Sequence, residues 1–430
     1  MKYFLDQEKY KNFLLLISLF LLMQLCFSLV FENLGVYIKV KDSLKLTYGI
    51  NYFKFFISLM IVLTSITILS VTKIKDFGYV VSSLFLIFSV FPSAIHFANI
   101  EPFDIRIFVS HILLFITVIV SCKIKISFYN KVFNKRHSIL LLLFISVIGT
   151  IPFIIYYSPY INLKNLMFKE IYETRAMMGE QIKITYLDYI YSWLNKIIIP
   201  CLLVYGIYYK KRLIVFFSVL SIVFLFLCGA NKIVFVGLFM MLILYPFTYK
   251  VKLTFFLRFL IGIISIALFL SIVFDNHLLM QHSLRRNFML PSLLDILYFD
   301  FFEDNYLLWS EVINGLFIDY PYDRSSALII GEKYFGIDIW SANNGVISNS
   351  FANFGIIGNI INIATIGFYI SILNHLNISS KFFGIIFMMI VLFYNSALTT
   401  VLVSHGGIIL LMLALFFLKN TKSTMDYEEN

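Results

Sequence analysis

The sequence predicts an all-α, polytopic integral membrane protein with about twelve transmembrane helices. Of the 430 residues, 60% are hydrophobic and only 13% are charged, so there is too little polar surface to cover a water-soluble core. Windows of about 20 almost uncharged residues recur along the whole length, and each can cross roughly 30 Å of hydrocarbon as a helix. We therefore expect a single transmembrane domain over residues 1–430.

The predicted spans are joined by short connections, apart from two. They lie near residues 12–31, 52–72, 79–97, 105–122, 138–157, 188–209, 213–229, 233–249, 254–274, 353–373, 383–400 and 404–418. The first apolar run follows a basic segment but lacks a small-x-small cleavage site, which favours an uncleaved first span. An even number of spans places both termini on one side of the membrane.

Lysine and arginine are concentrated in the connections on the side of the termini. The basic stretches lie at residues 73–75, 123–136, 210–212 and 250–252, and at the two ends of the chain. By the positive-inside rule this face is cytoplasmic, so both termini are expected in the cytoplasm. The short outer connection 32–51 is itself basic and fits this topology less well. The spread of basic connections accounts for most of the net charge of +10, so we expect no nucleic-acid partner.

Two long connections lie on the predicted outer face, at residues 158–187 and 275–352. The second is far longer than a link between two helices requires, and long loops of this kind usually carry function. Topology gives no reason for positive charge on this face. Cationic side chains nevertheless occur there, namely Arg175 in the first connection, Arg285, Arg286 and Arg324 in the second, and Lys232 at the edge between two spans.

These cations indicate an anionic ligand at the membrane surface. A guanidinium group is suited to bidentate binding of phosphate, and a lysine at the membrane edge is a simple anion contact. On a membrane protein, that chemistry points to a lipid-linked phosphate or pyrophosphate. The alternative is that the side chains snorkel to the lipid headgroups.

Acidic and aromatic side chains accompany the cations. Glu173 lies beside Arg175, and the paired arginines are followed by Asp295, Asp300, Glu303, Asp304, Tyr306 and Trp309. Aromatic faces and carboxylates are typical of sugar-binding clefts, and a carboxylate within reach of a sugar hydroxyl can act as general base. An interfacial aromatic belt is the alternative for the rings. The candidates for the base are Glu173, Asp300, Glu303, Asp304 and His282.

Residues 341–360 are rich in amides and glycines at the start of an apolar run. Asn343 and Asn353 are expected to shape a polar cavity, because amides at that depth need polar partners. A helix that begins near Phe351 would point its positive N-terminus toward an anion or a hydroxyl-rich ligand. The alternative is a glycine-amide seam that packs helices together. We expect neither metal nor cofactor, because the cysteines and histidines have no metal-ligand spacing.

In these stretches the chain resembles the Wzy-type polymerases of O-antigen and capsular repeat units. The similar stretches, in order, are IYETR at 171–175, a span with Trp193 that ends near Pro200, GANK at 229–232, RNFMLP at 286–291, YFDFF at 298–302, GEKYFG at 331–336, SANNG at 341–345 and ANFGIIG at 352–358. The likeness covers roughly residues 165–375. Where the family often has Asn-Thr-Gly, this chain has Asn343-Asn344-Gly345.

The resemblance implies the fold of membrane glycosyltransferases and O-antigen ligases, in the bacterial inner (plasma) membrane. It implies that a growing glycan on polyprenyl pyrophosphate is transferred, on the outer face, to a new lipid-linked repeat unit. The implied partners are polyprenyl-pyrophosphate-linked oligosaccharide and membrane lipid, and a polysaccharide chain-length regulator is a further open partner. Alternatives are an O-antigen ligase, which shares the topology, and a polysaccharide flippase or transporter, which usually places its charges within the spans.

The resemblance also gives the candidate residues their expected roles. Arg175, Arg286 and Lys232 would hold the pyrophosphates, with Arg285 and Arg324 behind them. Asn343, Asn353 and Tyr306 would contact the sugars, and the base stays open among the candidates named above. Cationic side chains that stabilise a departing pyrophosphate remove the need for a metal ion.

Overall fold

A computed structural model of the protein describes residues 7–31, 34–124, 126, 135–167, 170, 173–174, 177–178, 184–229, 232–313 and 318–418. The described chain is almost entirely helical, which confirms the predicted all-α class. Eight of its helices are long and apolar enough to cross a membrane: Gln7–Val30, Tyr52–Val71, Asp76–Asn99, Arg136–Tyr160, Tyr186–Tyr208, Arg212–Gly229, Tyr249–Val273 and Val346–His375. Each of these eight overlaps one predicted span, whereas the spans predicted near 105–122, 233–249, 383–400 and 404–418 overlap shorter helices of the described residues. The count of twelve spans and the side of the termini stay predictions.

The α-helices of the described residues are α1 (Gln7–Val30), α2 (Val36–Leu44), α3 (Tyr52–Val71), α4 (Asp76–Phe85), α5 (Phe91–Asn99), α6 (Ile105–Ser121), α7 (Lys135–Tyr157), α8 (Thr185–Trp193), α9 (Ile199–Tyr208), α10 (Arg212–Gly229), α11 (Lys232–Leu244), α12 (Tyr249–Val273), α13 (Leu278–Met280), α14 (Leu290–Phe302), α15 (Ser310–Ile313), α16 (Ser326–Phe335), α17 (Val346–His375), α18 (Phe383–Phe393) and α19 (Gly407–Phe416).

Shorter elements join these helices. π-helical segments cover Leu86–Val90, Leu194–Ile198, Gln281–Met289 and Thr400–Ser404, and 3₁₀ turns cover Ser158–Tyr160, Leu163–Met167 and Ser380–Phe382. Strands β1 (Thr47–Tyr48) and β2 (Ile100–Glu101) form a small antiparallel ladder, with Thr47 opposite Glu101.

The chain divides by its contacts into two compact units. The first unit comprises residues 1–125, 249–371 and 390–398, and the second comprises residues 126–248, 372–389 and 399–430. The single transmembrane domain expected from the sequence stays a prediction.

The continuous helix Asp76–Asn99 is the buried centre of the first unit. It has no charged side chain after Asp76, and its residues from 77 onward are buried on every side. A helix that is uncharged and buried all round is typical of the middle of a membrane bundle. In contrast, α3 exposes Tyr52, Phe53, Phe56 and Met60, which suits a helix that faces lipid.

The connection between α12 and α17 is folded rather than an irregular loop. Residues 278–302 form one continuous helical stretch from α13 through the π-segment to α14. The α14 part packs against α5 and α6, and its residues 291–299 are all buried. The apolar composition of α14 explains its burial, because exposing Leu293, Leu294 and Leu297 would forgo about 1.5–3 kcal/mol for each side chain.

The second unit is built around a hairpin of α9 and α10, with α7, α11 and α19 in the same unit. Its helix Tyr186–Tyr208 passes through the π-segment Leu194–Ile198, whose residues are all buried. Of the first long connection, the described parts are short 3₁₀ turns and residues around Glu173.

Candidate functional site

Helix α17 is broken at the amide-glycine stretch. Phe354 has φ −143° and Gly355 has φ 57° and ψ −144°, so the helix stops and restarts within the candidate span Val346–His375. Non-helical backbone at such a position is tolerated only where protein or a polar cavity satisfies its hydrogen bonds. In membrane transporters, broken helices of this kind line binding sites.

The segment 307–309 satisfies the backbone groups that the break leaves open. Leu307 N donates to Ala352 O at 2.8 Å, and Leu308 N donates to Asn353 O at 3.1 Å. In an unbroken helix, those carbonyls would accept from N–H groups four residues further on. Leu308 and Trp309 reach this position with φ values of 51° and 62°, which are unusual for residues other than glycine.

Asn353 holds this junction together rather than standing free in a cavity. Its Oδ1 accepts from Trp309 N at 2.8 Å, and its Nδ2 donates to Asn349 O at 2.8 Å. The residue is 2% exposed. Its expected contact with a sugar stays a prediction, whereas its structural role follows directly from these bonds.

We predict that Gly355→Ala destabilises the protein by about 1–3 kcal/mol, because an L-residue rarely adopts the conformation that Gly355 has. An added Cβ would also lie 2.7 Å from Tyr306 Oη. Thermal unfolding of the purified protein measures the effect. Gly262→Ala in α12 is the matched control, because a Cβ there meets nothing within 4 Å. Equal midpoints for the two variants would contradict the prediction.

Aromatic and charged side chains surround the break, and we call Arg106, Glu303, Tyr306, Phe299 and Phe351 the break cluster. The Phe299 and Phe351 rings are stacked, with centroids 3.6 Å apart, and Tyr306 packs edge-on against Phe351. The Arg106 guanidinium lies over Phe351 at 5.5 Å. Because Tyr306 and Glu303 are exposed, the cluster offers an aromatic edge and a carboxylate to a polar ligand.

Arg106 is the residue of the break cluster that sequence reasoning missed. Its Nη2 donates to Glu303 Oε1 at 2.6 Å, and its Nε donates to Asp104 Oδ2 at 2.7 Å. The sequence did contain an indication of its importance. Arg106 lies at the predicted outer end of a span, where the positive-inside rule does not require a cation. Its partner lies 197 positions away, and that pairing is visible only in the fold.

A chain of hydrogen bonds is buried beside α14. Ser89 Oγ and His111 Nδ1 are 2.6 Å apart, His111 Nε2 lies 2.9 Å from Asp295 Oδ2, and Ser348 Oγ donates to Asp295 Oδ1 at 2.7 Å. The order serine, histidine, aspartate resembles a catalytic triad. However, Ser89 is 0%, His111 4% and Asp295 3% exposed, so all three lie inside the packed helices rather than in an open cleft. The expected placement of Asp295 in a sugar-binding cleft is therefore corrected to a structural one.

Arg285 and Arg286 form an uncompensated pair of cations. Both lie in the π-segment Gln281–Met289, and such segments often occur at functional sites. Arg286 is exposed and Arg285 is partly buried, with its Nε buried and without a hydrogen-bond partner. Within the described residues, no carboxylate pairs with either side chain. Burial lowers the pKa of the Arg285 guanidinium, Tyr37 opposes this effect and Arg286 adds to it.

The fold separates the arginine pair from two of the predicted carboxylates. Arg286 and Asp300 lie on one continuous helical stretch, so their backbones are about 20 Å apart along its axis. Glu303 lies slightly further on, in the break cluster. By contrast, His282 is exposed and precedes Arg286 by four residues, which is about one turn of the π-segment, so these two residues lie on the same side of it.

The other predicted residues of the first unit have partners of their own. Arg324 Nη1 bonds Glu332 Oε2 at 3.2 Å, with both side chains exposed. Tyr334 donates to Asp300 Oδ2, and burial together with that carboxylate raises the pKa of Tyr334. Asn343 is exposed and accepts from Ser341 Oγ. Arg324 thus has a carboxylate partner, whereas Arg285 and Arg286 have none among the described residues, and the expected role of Arg324 stays a prediction.

The remaining predicted residues belong to the second unit. Glu173 is exposed, and Lys232 begins helix α11. Arg175 and the side chain of Lys232 lie outside the described residues, so their expected roles stay predictions. Comparison with protein-family models, with curated proteins and with solved structures gave no match.

Proposed function

We propose that this chain polymerises polyprenyl-pyrophosphate-linked oligosaccharide repeat units into O-antigen or capsular polysaccharide. The reaction would be glycosyl transfer on the outer face of a bacterial inner membrane, with release of polyprenyl pyrophosphate. The observation that carries the proposal is the uncompensated pair Arg285 and Arg286 beside the membrane-spanning bundle. Two adjacent guanidinium groups without a carboxylate favour a dianionic ligand such as a diphosphate.

The arginine pair would supply the main catalytic effect. Charge develops on the departing diphosphate, and fixed cations that lie where this charge appears lower the barrier without a metal ion. Arg286, which is exposed, would contact the diphosphate directly. Arg285, whose Nε lacks a hydrogen-bond partner, would donate hydrogen bonds to the diphosphate from a different side.

Geometry favours His282 among the candidate bases. A base must lie within hydrogen-bond reach of the acceptor hydroxyl, and that hydroxyl meets the sugar carbon next to the diphosphate. Asp300 and Glu303 lie about 20 Å and about 25 Å from Arg286 along the helix axis, which is too far for this task. His282 lies about one turn from the arginines and is exposed.

The break cluster would then bind sugars rather than perform the transfer. Tyr306 is 42% exposed, and Glu303 of the same cluster is exposed as well. Exposed rings stack on the apolar faces of sugars, while a carboxylate accepts from their hydroxyl groups. The separation of this cluster from the arginines suits an extended oligosaccharide rather than a single sugar.

The test is elongation by the purified protein in lipid nanodiscs, supplied only with lipid-linked repeat units. We expect a ladder of lipid-linked products and release of polyprenyl pyrophosphate. An O-antigen ligase would give products only after lipid A-core is added, and a flippase would give none. Either of those results, from protein that is folded by its thermal unfolding, would overturn the proposal.

A further inference from the structure

The second unit contains a buried lysine that the proposed function does not use. Lys196 lies in the π-segment Leu194–Ile198, inside the candidate span Tyr186–Tyr208, and is 2% exposed. Its Nζ lies 2.7 Å from His405 Nδ1. A charged group inside a membrane bundle is costly, and one that persists there usually has a function.

Nothing in the described residues balances the charge of Lys196. No carboxylate of the described residues pairs with it, and its hydrogen-bond partner is an imidazole nitrogen. With the His405 proton on Nε2, Nδ1 accepts from the ammonium group, and the distance of 2.7 Å fits that arrangement. An ammonium group in this position calls for a counter-anion.

Asn195, the adjacent residue, is the second and independent sign of a ligand. It is 2% exposed, and neither its Nδ2 nor its Oδ1 has a hydrogen-bond partner. A buried amide without partners is strongly unfavourable, so such groups normally contact an ion, a water molecule or a ligand. Asn195 and Lys196 line the same cavity.

The cavity limits the size of that ligand. Apart from Asn195 and Lys196 it is lined by apolar side chains that include Ile222, Met241 and Met388, and it has room for a single water-sized occupant. Gly384 lets two helices approach closely here, because a Cβ would lie 2.5 Å from Met241 Cα. A phosphate group or a sugar does not fit this space.

We propose that this cavity binds one halide-sized monovalent anion, held by Lys196 Nζ and Asn195 Nδ2. A water molecule would satisfy the amide but would leave the ammonium charge unbalanced. Chloride is somewhat larger than water, and it is the small anion that supplies the missing charge. This site is independent of the proposed polymerase activity.

Thermal unfolding of the purified full-length protein tests the site, with sodium gluconate exchanged for sodium chloride at constant ionic strength. We expect a saturable rise of the unfolding midpoint of about 2 °C or more, because a ligand that binds only the folded state stabilises it. Lys196→Met should abolish this rise. Lys211→Met, at an exposed lysine of the same unit, should retain it.

Two results would overturn the proposal: no dependence on chloride in the wild-type protein, or the same dependence in Lys196→Met. If Lys196→Met does not fold, an experimental structure of the wild-type protein in sodium bromide replaces the measurement on that variant. A bromide peak between Lys196 Nζ and Asn195 Nδ2 supports the site. Density for water alone contradicts it.

Discussion

Arg286→Ala is expected to abolish long-chain polysaccharide in a deletion strain complemented with the variant gene. Loss of one cation that stabilises a developing charge lowers the turnover number by about 10²–10³. Arg286→Lys should restore chains only in part, because lysine keeps the charge but loses the planar fork that binds phosphate. Gel electrophoresis of the extracted polysaccharide gives the chain lengths, and immunoblotting gives the protein level.

Arg212→Ala is the matched control for that experiment. Arg212 is also exposed, but it begins helix α10 on the predicted cytoplasmic face, where the positive-inside rule accounts for its charge. It should support normal chain lengths. Full restoration of long chains by Arg286→Ala at a normal protein level would show that Arg286 has no part in the reaction.

Asp295→Ala is expected to cost about 1–3 kcal/mol in the free energy of unfolding for each buried polar partner that it leaves without a hydrogen bond. His111 Nε2 and Ser348 Oγ both lose the carboxylate that they contact. The combination with His111→Ala should cost less than the sum of the two single changes, since the two residues belong to one network. Chemical unfolding in detergent gives these values.

Asp338→Ala gives the comparison for Asp295→Ala, because Asp338 is an exposed carboxylate in the same unit. Exposed substitutions usually change stability by less than about 0.5 kcal/mol. If the two variants unfold at the same denaturant concentration, the hydrogen-bond chain beside α14 does not hold the fold together.

The membrane helices could be predicted from the sequence because transfer into lipid depends on the local composition of each segment. Within the described residues, eight predicted spans overlap helices that are long and apolar enough to cross a membrane, for that reason. Local composition did not predict helix α14 or its buried position. Its 13 residues are apolar but too short to span the membrane, and only the fold shows that they are buried against α5 and α6.

The candidate site could be predicted only where a residue type is unusual for its place. Arg285 and Arg286 were found because cations on the outer face need an explanation, and Gly355 because glycine follows a cluster of amides. Arg106 and His111 could not be assigned, because their partners Glu303 and Asp295 lie 197 and 184 positions away. The π-segment around Arg285 likewise has no sequence signal that we recognised.

The helix break in α17 was predicted from the sequence only in part. The sequence predicted a helix start near Phe351 at the amide-glycine stretch, whereas the helix begins at Val346 and breaks at Phe354 and Gly355. The difference arises because the segment 307–309 supplies donors to the carbonyl groups freed by the break. A partner supplied from more than forty residues away cannot be inferred from local pattern.

The central claim is that Arg285 and Arg286 bind the diphosphate of a lipid carrier, and its most direct test is a binding measurement. Isothermal titration of the purified protein with farnesyl pyrophosphate should show an affinity that falls at least about tenfold, or roughly 1.4 kcal/mol, in the double variant Arg285→Ala/Arg286→Ala. Arg212→Ala should bind as the wild-type protein does. Equal affinities for the wild-type protein and the double variant would contradict the claim.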